Sequence, residues 1–169
     1  MKRPVKWTLI AVGVLAGLIA AAGLIGAMLP REVTTTASVT IAKPPEVVWE
    51  ALANHENLPL WFPEFEKVEV VKGSNPQRWQ GRAGSASATY EDIVREPPKR
   101  LVSRTVAPTS EGLQGEWEFR IEPAAEGSRL TADIKMELGN PFLRFVVRLM
   151  VSSHEAGVLE QFKKWVESR

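Results

Sequence analysis

The side chains best suited to acid–base chemistry are Tyr90 and Asp92, which lie two residues apart in a segment of strand character, residues 85–95. Successive side chains of a strand point to opposite faces, so Tyr90 and Asp92 share one face and Glu91 lies on the other. A buried tyrosine–aspartate pair could polarise the carbonyl group of a substrate. We expect the commoner arrangement, in which both side chains lie on the solvent face of an antiparallel sheet.

The two histidines of the chain are the remaining candidates for proton transfer. His55 lies in the loop predicted after the first helix of the domain, where we expect a solvated or helix-capping role. His154 falls at the edge of an apolar helical stripe and could face a pocket beside Ser153, although we expect a partly exposed structural histidine. Neither belongs to a His-x-x-x-His or Glu-x-x-His pattern, so the sequence predicts no metal site, and it predicts no cofactor.

Three arginines could hold an anion. Arg104, between Ser103 and Thr105, could anchor one inside a pocket, but we favour a cross-strand ion pair with an acidic neighbour. Arg144 and Arg148 stand one helical turn apart and could contact lipid headgroups, although a solvated helix face explains them equally well.

The distribution of charge excludes one class of partner. Four of the 21 basic residues flank the first apolar run, which leaves 17 basic and 20 acidic residues at positions 32–169. A nucleic-acid-binding domain needs a clustered basic face, so the sequence predicts no nucleic-acid partner. The chain has no cysteine, which excludes disulfides and thiolate catalysis.

Residues 7–29 form an uncharged apolar run. As a helix rising about 1.5 Å per residue, this run would extend roughly 34 Å and cross a hydrocarbon core of about 30 Å. Basic residues are more numerous before the run than after it, which places residues 1–6 in the cytoplasm. We therefore predict a single-pass protein of the cell membrane, with a linker at 30–36 and a domain at 37–169 on the non-cytoplasmic (periplasmic or extracellular) side.

A cleaved signal peptide with a small-residue site at Ala20–Ala22 is the alternative, but the apolar run continues past that site, which favours an uncleaved anchor. The spacing of Gly13 and Gly17 would allow self-association through a helix-pairing face, although small residues are so frequent here that chance explains the spacing better.

The sequence after the apolar run predicts a strand, a short helical region, a series of strands and a long terminal helix. Residues 33–42 are rich in Val, Thr and Ile, which favour a strand, and the prolines and glutamate at 44–46 favour the start of a helix that ends near Asn54. Residues 58–63 contain two prolines and are too short and broken for a regular helix. Apolar residues at steps of three and four after Pro141 predict a helix of about 25 residues.

Most of the domain is predicted to be an antiparallel sheet. Trp117, Phe119 and Ile121 alternate with charged residues, and apolar and polar residues alternate in the same way over 128–138. This pattern indicates a sheet with one face buried and the other in water, and the apolar stripe of the terminal helix is expected to cover the concave face. The strands are predicted at residues 65–72, 78–82, 85–95, 100–106, 114–122 and 128–138.

Four local motifs resemble the START-like (SRPBCC) superfamily, and within it the polyketide cyclase/dehydrase and lipid-transport group. Residues 38–49 resemble its opening strand and first helix, and residues 58–63 the Trp- and Pro-containing segment that follows. Residues 96–101 resemble its mid-sheet turn and residues 127–131 its last hairpin. The resemblance implies an α+β helix-grip fold, a curved antiparallel sheet wrapped around a long C-terminal helix, here preceded by one transmembrane helix.

The same resemblance implies a cavity between the terminal helix and the curved sheet. The alternative is that the same aromatic and aliphatic side chains fill a solid core. The implied ligand-binding residues are Trp61 and Phe62 at the mouth, Trp117 and Phe119 on the sheet, and Phe145, Leu149 and Ser153 on the helix.

Three functions follow as hypotheses. The leading one is a non-enzymatic, membrane-tethered module that binds a hydrophobic small molecule or lipid. The enzyme alternative is a polyketide cyclase or dehydratase that uses Tyr90, Asp92 or His154 as acid–base groups. The third is an envelope protein that acts through a protein partner, which predicts a filled core and an exposed apolar patch.

Overall fold

The described residues of the computed structural model, 3–84, 86–107 and 113–169, contain a seven-stranded antiparallel sheet in the order β1-β7-β6-β5-β4-β3-β2. The sheet curves around a long C-terminal helix, which confirms the predicted α+β helix-grip fold. Predictions that concern Met1, Lys2 and Ser85 lie outside the described residues. The strands are β1 (Glu32–Ile41), β2 (Lys67–Val71), β3 (Arg78–Ala83), β4 (Ala86–Glu96), β5 (Arg100–Thr105), β6 (Leu113–Ala124) and β7 (Gly127–Leu138).

The alternation seen in the sequence of β6 and β7 sets which face of the sheet is buried. Leu130, Ala132 and Ile134 are each at most 2% exposed, and Ile121 on β6 pairs directly with Leu130. Leu130, Ala132 and Ile121 belong to the hydrophobic core, together with residues of the helices that pack on the concave face. The predicted inner face of the sheet is therefore confirmed.

The first helices of the domain differ in part from the prediction. Helix α2 spans Pro45–Ala53 as expected and buries Val48 and Leu52. A 3-10 turn at His55–Asn57 follows, capped by the Asn54 side chain, which accepts a hydrogen bond from the backbone N–H of Glu56. Helix α3 is one turn, Leu58–Trp61, so the segment predicted to be irregular is helical, with its proline in the first turn where no N–H is needed.

Helix α4 spans Pro141–Glu167 and begins at an Asn140 cap, whose side chain accepts from the backbone N–H of Phe142 and Leu143. Its C-terminal half packs on the concave face through Leu159, Phe162 and other buried residues. The predicted position of the terminal helix is confirmed, because α4 closes one side of the space inside the curved sheet.

Helix α1 spans Arg3–Met28, and within the described residues it is the helix long and apolar enough to cross a membrane, over Lys6–Met28. Only 6% of its most apolar 18-residue stretch is buried. Strand β1 begins at Glu32, so the connection after α1 is shorter than the predicted linker at 30–36, most of which pairs with β7.

Candidate ligand-binding site

A cavity of about 440 Å³ lies between the concave face of the sheet and α4, which falls in the range typical of small-molecule sites. The aromatic and aliphatic side chains therefore do not fill a solid core, which was the alternative to a cavity. Apolar and aromatic side chains dominate its wall. The lining includes Leu52, Leu58, Trp61, Phe62 and Phe65 from the short helices and the turn after them, Trp79, Ala88, Tyr90, Leu101, Trp117, Phe119, Ala132 and Ile134 from the sheet, and Val147, Met150, His154, Glu155 and Val158 from α4.

Four of the seven predicted ligand-binding residues line this cavity: Trp61, Phe62, Trp117 and Phe119. Trp61 is not at the mouth, since it is 4% exposed and packs edge-to-face on Phe162 at 4.8 Å between ring centroids. Its indole Nε1 is enclosed and has no hydrogen-bond partner among the described residues, so a ligand does not reach this atom without a shift of the ring.

The prediction for α4 was wrong, because Phe145, Leu149 and Ser153 do not line the cavity. Leu149 is 69% exposed. The residues that face the cavity instead are Val147, Met150, His154 and Val158, which follow each other at steps of three and four. The first half of α4 is apolar on most of its circumference, so its periodicity does not define one inward face.

A buried polar cluster lies at one end of the cavity wall, centred on Asp92. Its side chain is 0% exposed and accepts hydrogen bonds from His55 Nε2 at 2.8 and 3.0 Å. Ser103 Oγ donates at 2.8 Å, Arg95 Nη1 at 2.6 Å and Trp79 Nε1 at 3.4 Å. The carboxylate is thus saturated with donors from four different segments, as a buried charge requires.

The charge state of Asp92 follows from these contacts. Burial by itself would raise the pKa of Asp92, but the hydrogen bond and charge of His55, then the hydrogen bonds of Ser103 and Arg95, outweigh it and hold the pKa below its usual value. Asp92 is therefore ionised at neutral pH. His55 donates its Nε2 proton to this carboxylate, so Nδ1 is the ring nitrogen left for another partner.

The rings of His55, Trp79 and Tyr90 form a stack along the cavity wall. His55 and Trp79 have centroids 4.7 Å apart and planes inclined at 24°, and Trp79 and Tyr90 have centroids 4.1 Å apart at 16°. Burial raises the pKa of Tyr90, so its hydroxyl stays protonated. The stack holds His55 and Tyr90 on opposite faces of Trp79.

Two polar atoms of this stack are open to the cavity. His55 Nδ1 and Tyr90 Oη have no hydrogen-bond partner in the described part of the chain, and neither is sealed in the way that Trp61 Nε1 is. His55 is 3% exposed and Tyr90 7%, and both line the cavity. A ligand would thus meet His55 Nδ1 and the Tyr90 hydroxyl in a wall that is mainly apolar.

Two expectations about these residues were wrong. Tyr90 and Asp92 do share a face, but it is the inner face, because they continue the inward alternation of Ala86 and Ala88 along β4. His55 is neither solvated nor a cap, since it is 3% exposed and Asn54 caps the turn. The alternation of inward and outward side chains along β4 is the sequence signal that points Tyr90 and Asp92 to the inner face. The polarity of Asp92 points to the outer face instead.

Arg104 donates to Glu91 Oε1 at 2.7 and 2.9 Å on the outer face of the sheet, so the predicted cross-strand pair is confirmed. The side chain of His154 is 44% exposed, as expected, with Nε2 3.9 Å from Glu64 Oε1. Burial raises the pKa of Glu155, which lines the cavity beside His154.

Arg144 contradicts the expectation of a solvated face or a lipid contact, because it is 6% exposed. Its guanidinium donates to backbone carbonyl oxygens at the end of β7. In the described ranges, no group of three or more His, Asp or Glu side chains is arranged to hold a metal ion.

Comparison with known proteins agrees with this architecture. A family model described as polyketide cyclase/dehydrase and lipid transport matches residues 32–167. No curated protein matches the chain in sequence.

Several solved structures share the fold. A START superfamily protein from Mycobacterium smegmatis has a TM-score of 0.69 at 16% identity, over 82% of this chain and 99% of that one. The ZhuI aromatase/cyclase from a Streptomyces strain has a TM-score of 0.60 at 20% identity, over 77% of this chain and 93% of that one. The di-domain aromatase/cyclase StfQ of the steffimycin biosynthetic pathway has a TM-score of 0.67 at 15% identity over 82% of this chain. The match spans about half of StfQ, 51% of its length.

Proposed function

The chain belongs to the polyketide cyclase/dehydrase and lipid transport family, and from this membership we propose that it is a membrane-anchored module that binds a hydrophobic small molecule or lipid in the cavity under α4. The observation that carries the proposal is the cavity itself, about 440 Å³ in volume and lined mainly by apolar and aromatic side chains. Burial of an apolar ligand there gains roughly 25 cal/mol for each Å² of apolar surface removed from water.

The free polar atoms of the wall define the ligand further. A purely hydrocarbon ligand would leave the Tyr90 hydroxyl and His55 Nδ1 without partners in a site that excludes water, which costs about 1–3 kcal/mol for each group. The ligand that fits best is therefore mostly apolar and carries polar groups for these two atoms, among them an oxygen that accepts a hydrogen bond from the Tyr90 hydroxyl.

Helix α1 supplies the anchor in this proposal. Its apolar length suits a bilayer, and its large side chains are exposed on all sides, as for Leu9 at 67% and Leu18 at 63%. The charge asymmetry of the flanks favours a domain on the non-cytoplasmic side of the cell membrane. A domain joined to α1 by so short a connection works at the surface of one bilayer.

Native mass spectrometry of the full chain, released from detergent micelles, tests the binding proposal. We expect the protein peak to carry a single small apolar adduct at up to one copy per chain, which organic extraction followed by mass spectrometry would identify. The proposal would be contradicted if the protein peak carried no adduct and extraction recovered nothing beyond the micelle components.

A second candidate function is favoured by one observation, the presence of an oriented histidine and a free tyrosine hydroxyl in the same wall. In a cyclase, His55 Nδ1 would take a proton from the carbon beside a substrate carbonyl while the Tyr90 hydroxyl donates a hydrogen bond to the carbonyl oxygen. The resulting enolate carbon would attack a second carbonyl group of the same substrate molecule. The proton held by His55 would then return to the new alkoxide. The structural neighbours named as aromatase/cyclases keep this candidate open.

A linear poly-β-ketone thioester incubated with the full chain distinguishes catalysis from binding. Catalysis predicts a cyclised product above the spontaneous rate, lowered about 100-fold or more in Tyr90→Phe. Unchanged thioester, or equal rates for both proteins, would remove the enzyme candidate and leave the binding module.

A further inference from the structure

The first half of α4 exposes several large apolar side chains. Phe142 is 42% exposed, Leu149 69% and Met150 61%. Phe142 and Leu149 are two helical turns apart and share one side of the helix, and Met150 adjoins Leu149. We call these three residues the α4 apolar face. Large apolar side chains grouped in this way on the surface of a domain mark a site of interaction.

Both arginines of this segment bind backbone carbonyl groups, Arg144 in a buried position and Arg148 in an exposed one. Arg144 donates through Nε to Leu138 O and through Nη2 to Gly139 O, both at 2.8 Å. Arg148 donates through Nη2 to Glu32 O at 2.9 Å. These contacts hold the start of α4 on the ends of β7 and β1.

The α4 apolar face lies beside the helix that we propose as the anchor. The last turns of α1 pack against the start of α4, where Gly26 is buried and a Cβ atom on it would overlap the carbonyl group of Pro141. The chain then passes directly into β1, with Leu138 N donating to Arg31 O at 2.9 Å. The position of α1 relative to the start of α4 is thus fixed by packing and by backbone hydrogen bonds.

We propose that the α4 apolar face lies in the headgroup boundary of the bilayer that α1 spans, and that the cavity opens there. This inference rests on the proposed anchoring by α1. The occupant is lipid because the face continues the apolar surface of α1, and interfacial helices bury their apolar side chains about 5–10 Å deep at the boundary of headgroups and acyl chains. Met150 belongs both to the face and to the cavity wall. An apolar ligand could therefore pass from the membrane into the cavity without crossing water.

The absence of cysteine from the chain permits a direct test, because any introduced cysteine is the only thiol. Full chain carrying Leu149→Cys, labelled with the fluorophore NBD, is reconstituted in phosphatidylcholine nanodiscs with and without lipids that bear a quencher near the headgroup. We expect blue-shifted NBD emission and at least about twofold quenching, as for a probe at the acyl-chain boundary. Glu160→Cys, at an exposed position in the C-terminal half of α4, is the matched control and should show aqueous emission without quenching.

A third labelled variant, Leu15→Cys in α1, separates this inference from the anchoring proposal. Quenching of Leu15→Cys by lipids labelled deep in the acyl chains, together with aqueous emission from Leu149→Cys, would overturn the inference and leave the anchor in place. Aqueous emission from Leu15→Cys would overturn the anchor. Blue-shifted emission from Leu149→Cys without lipid quenching would show that a protein surface, such as a second copy of the chain, covers the face, and would also overturn the inference.

Discussion

Replacing Asp92 by alanine is expected to lower the free energy of unfolding by about 3–5 kcal/mol, because it removes one partner of a buried ion pair. The variant leaves Arg95 without its carboxylate, and it leaves the donors of His55 and Ser103 unpaired in a region that excludes water. The 3-10 turn that carries His55 would lose its polar attachment to the sheet. Thermal or chemical unfolding of the full chain, followed by circular dichroism, measures the loss.

Asp133→Ala is the matched control, because Asp133 lies on the outer face of the sheet and pairs with Arg120 and Thr36 where its side chain is 28% exposed. A surface pair of this kind contributes about 0–1 kcal/mol. Equal losses in the two variants would show that the Asp92 cluster does not stabilise the fold more than an ordinary surface pair.

The dependence of the free energy of unfolding on pH provides a second test of the Asp92 cluster. Because the folded pKa of Asp92 lies below its unfolded value of about 3.9, the stabilisation is fully present above that value and is lost as the pH falls through the folded pKa. The free energy of unfolding should therefore fall more steeply below about pH 4 in the native chain than in Asp92→Asn, which has no group to titrate. Parallel pH profiles for the two proteins would contradict the assigned ionisation.

The second large effect is expected from filling the cavity. Ala88 lies on β4 with its side chain directed into the cavity, so Ala88→Phe would occupy the space that a ligand needs. Saturable binding of the neutral dye N-phenyl-1-naphthylamine to the full chain in amphipol, followed by energy transfer from tryptophan, should decrease at least about tenfold in affinity or disappear. The folded structure should persist, since the added ring enters existing space.

Thr89→Phe is the matched control, because it places the same side chain on the same strand and on the opposite face of the sheet. This variant should bind the dye saturably, as the native chain does. Nonspecific binding of the dye to the amphipol should also be the same. Full binding by Ala88→Phe would show that the dye binds elsewhere and that the cavity is not the site.

The sequence by itself determined the parts of this protein that depend on local patterns of apolar residues. The alternation in β6 and β7 identified the buried face of the sheet, because an apolar side chain at every second position can face only one side. The continuous apolar run of α1 and the proline- and asparagine-led start of α4 located both long helices, since length and capping are local properties. The resemblance to a family followed from the order of these elements.

Tertiary structure alone decided the direction of the polar residues and the rotation of α4. Asp92 lies on the inner face because the register of β4 and β5 sets it opposite Ser103, and because the turn after α2 brings His55, 37 residues away, against its carboxylate. No local pattern reports partners so distant in the sequence. The first half of α4 is apolar on most of its circumference, so contacts with α1, β1 and the cavity, rather than periodicity, determine that Val147 and Met150 line the cavity while Leu149 does not.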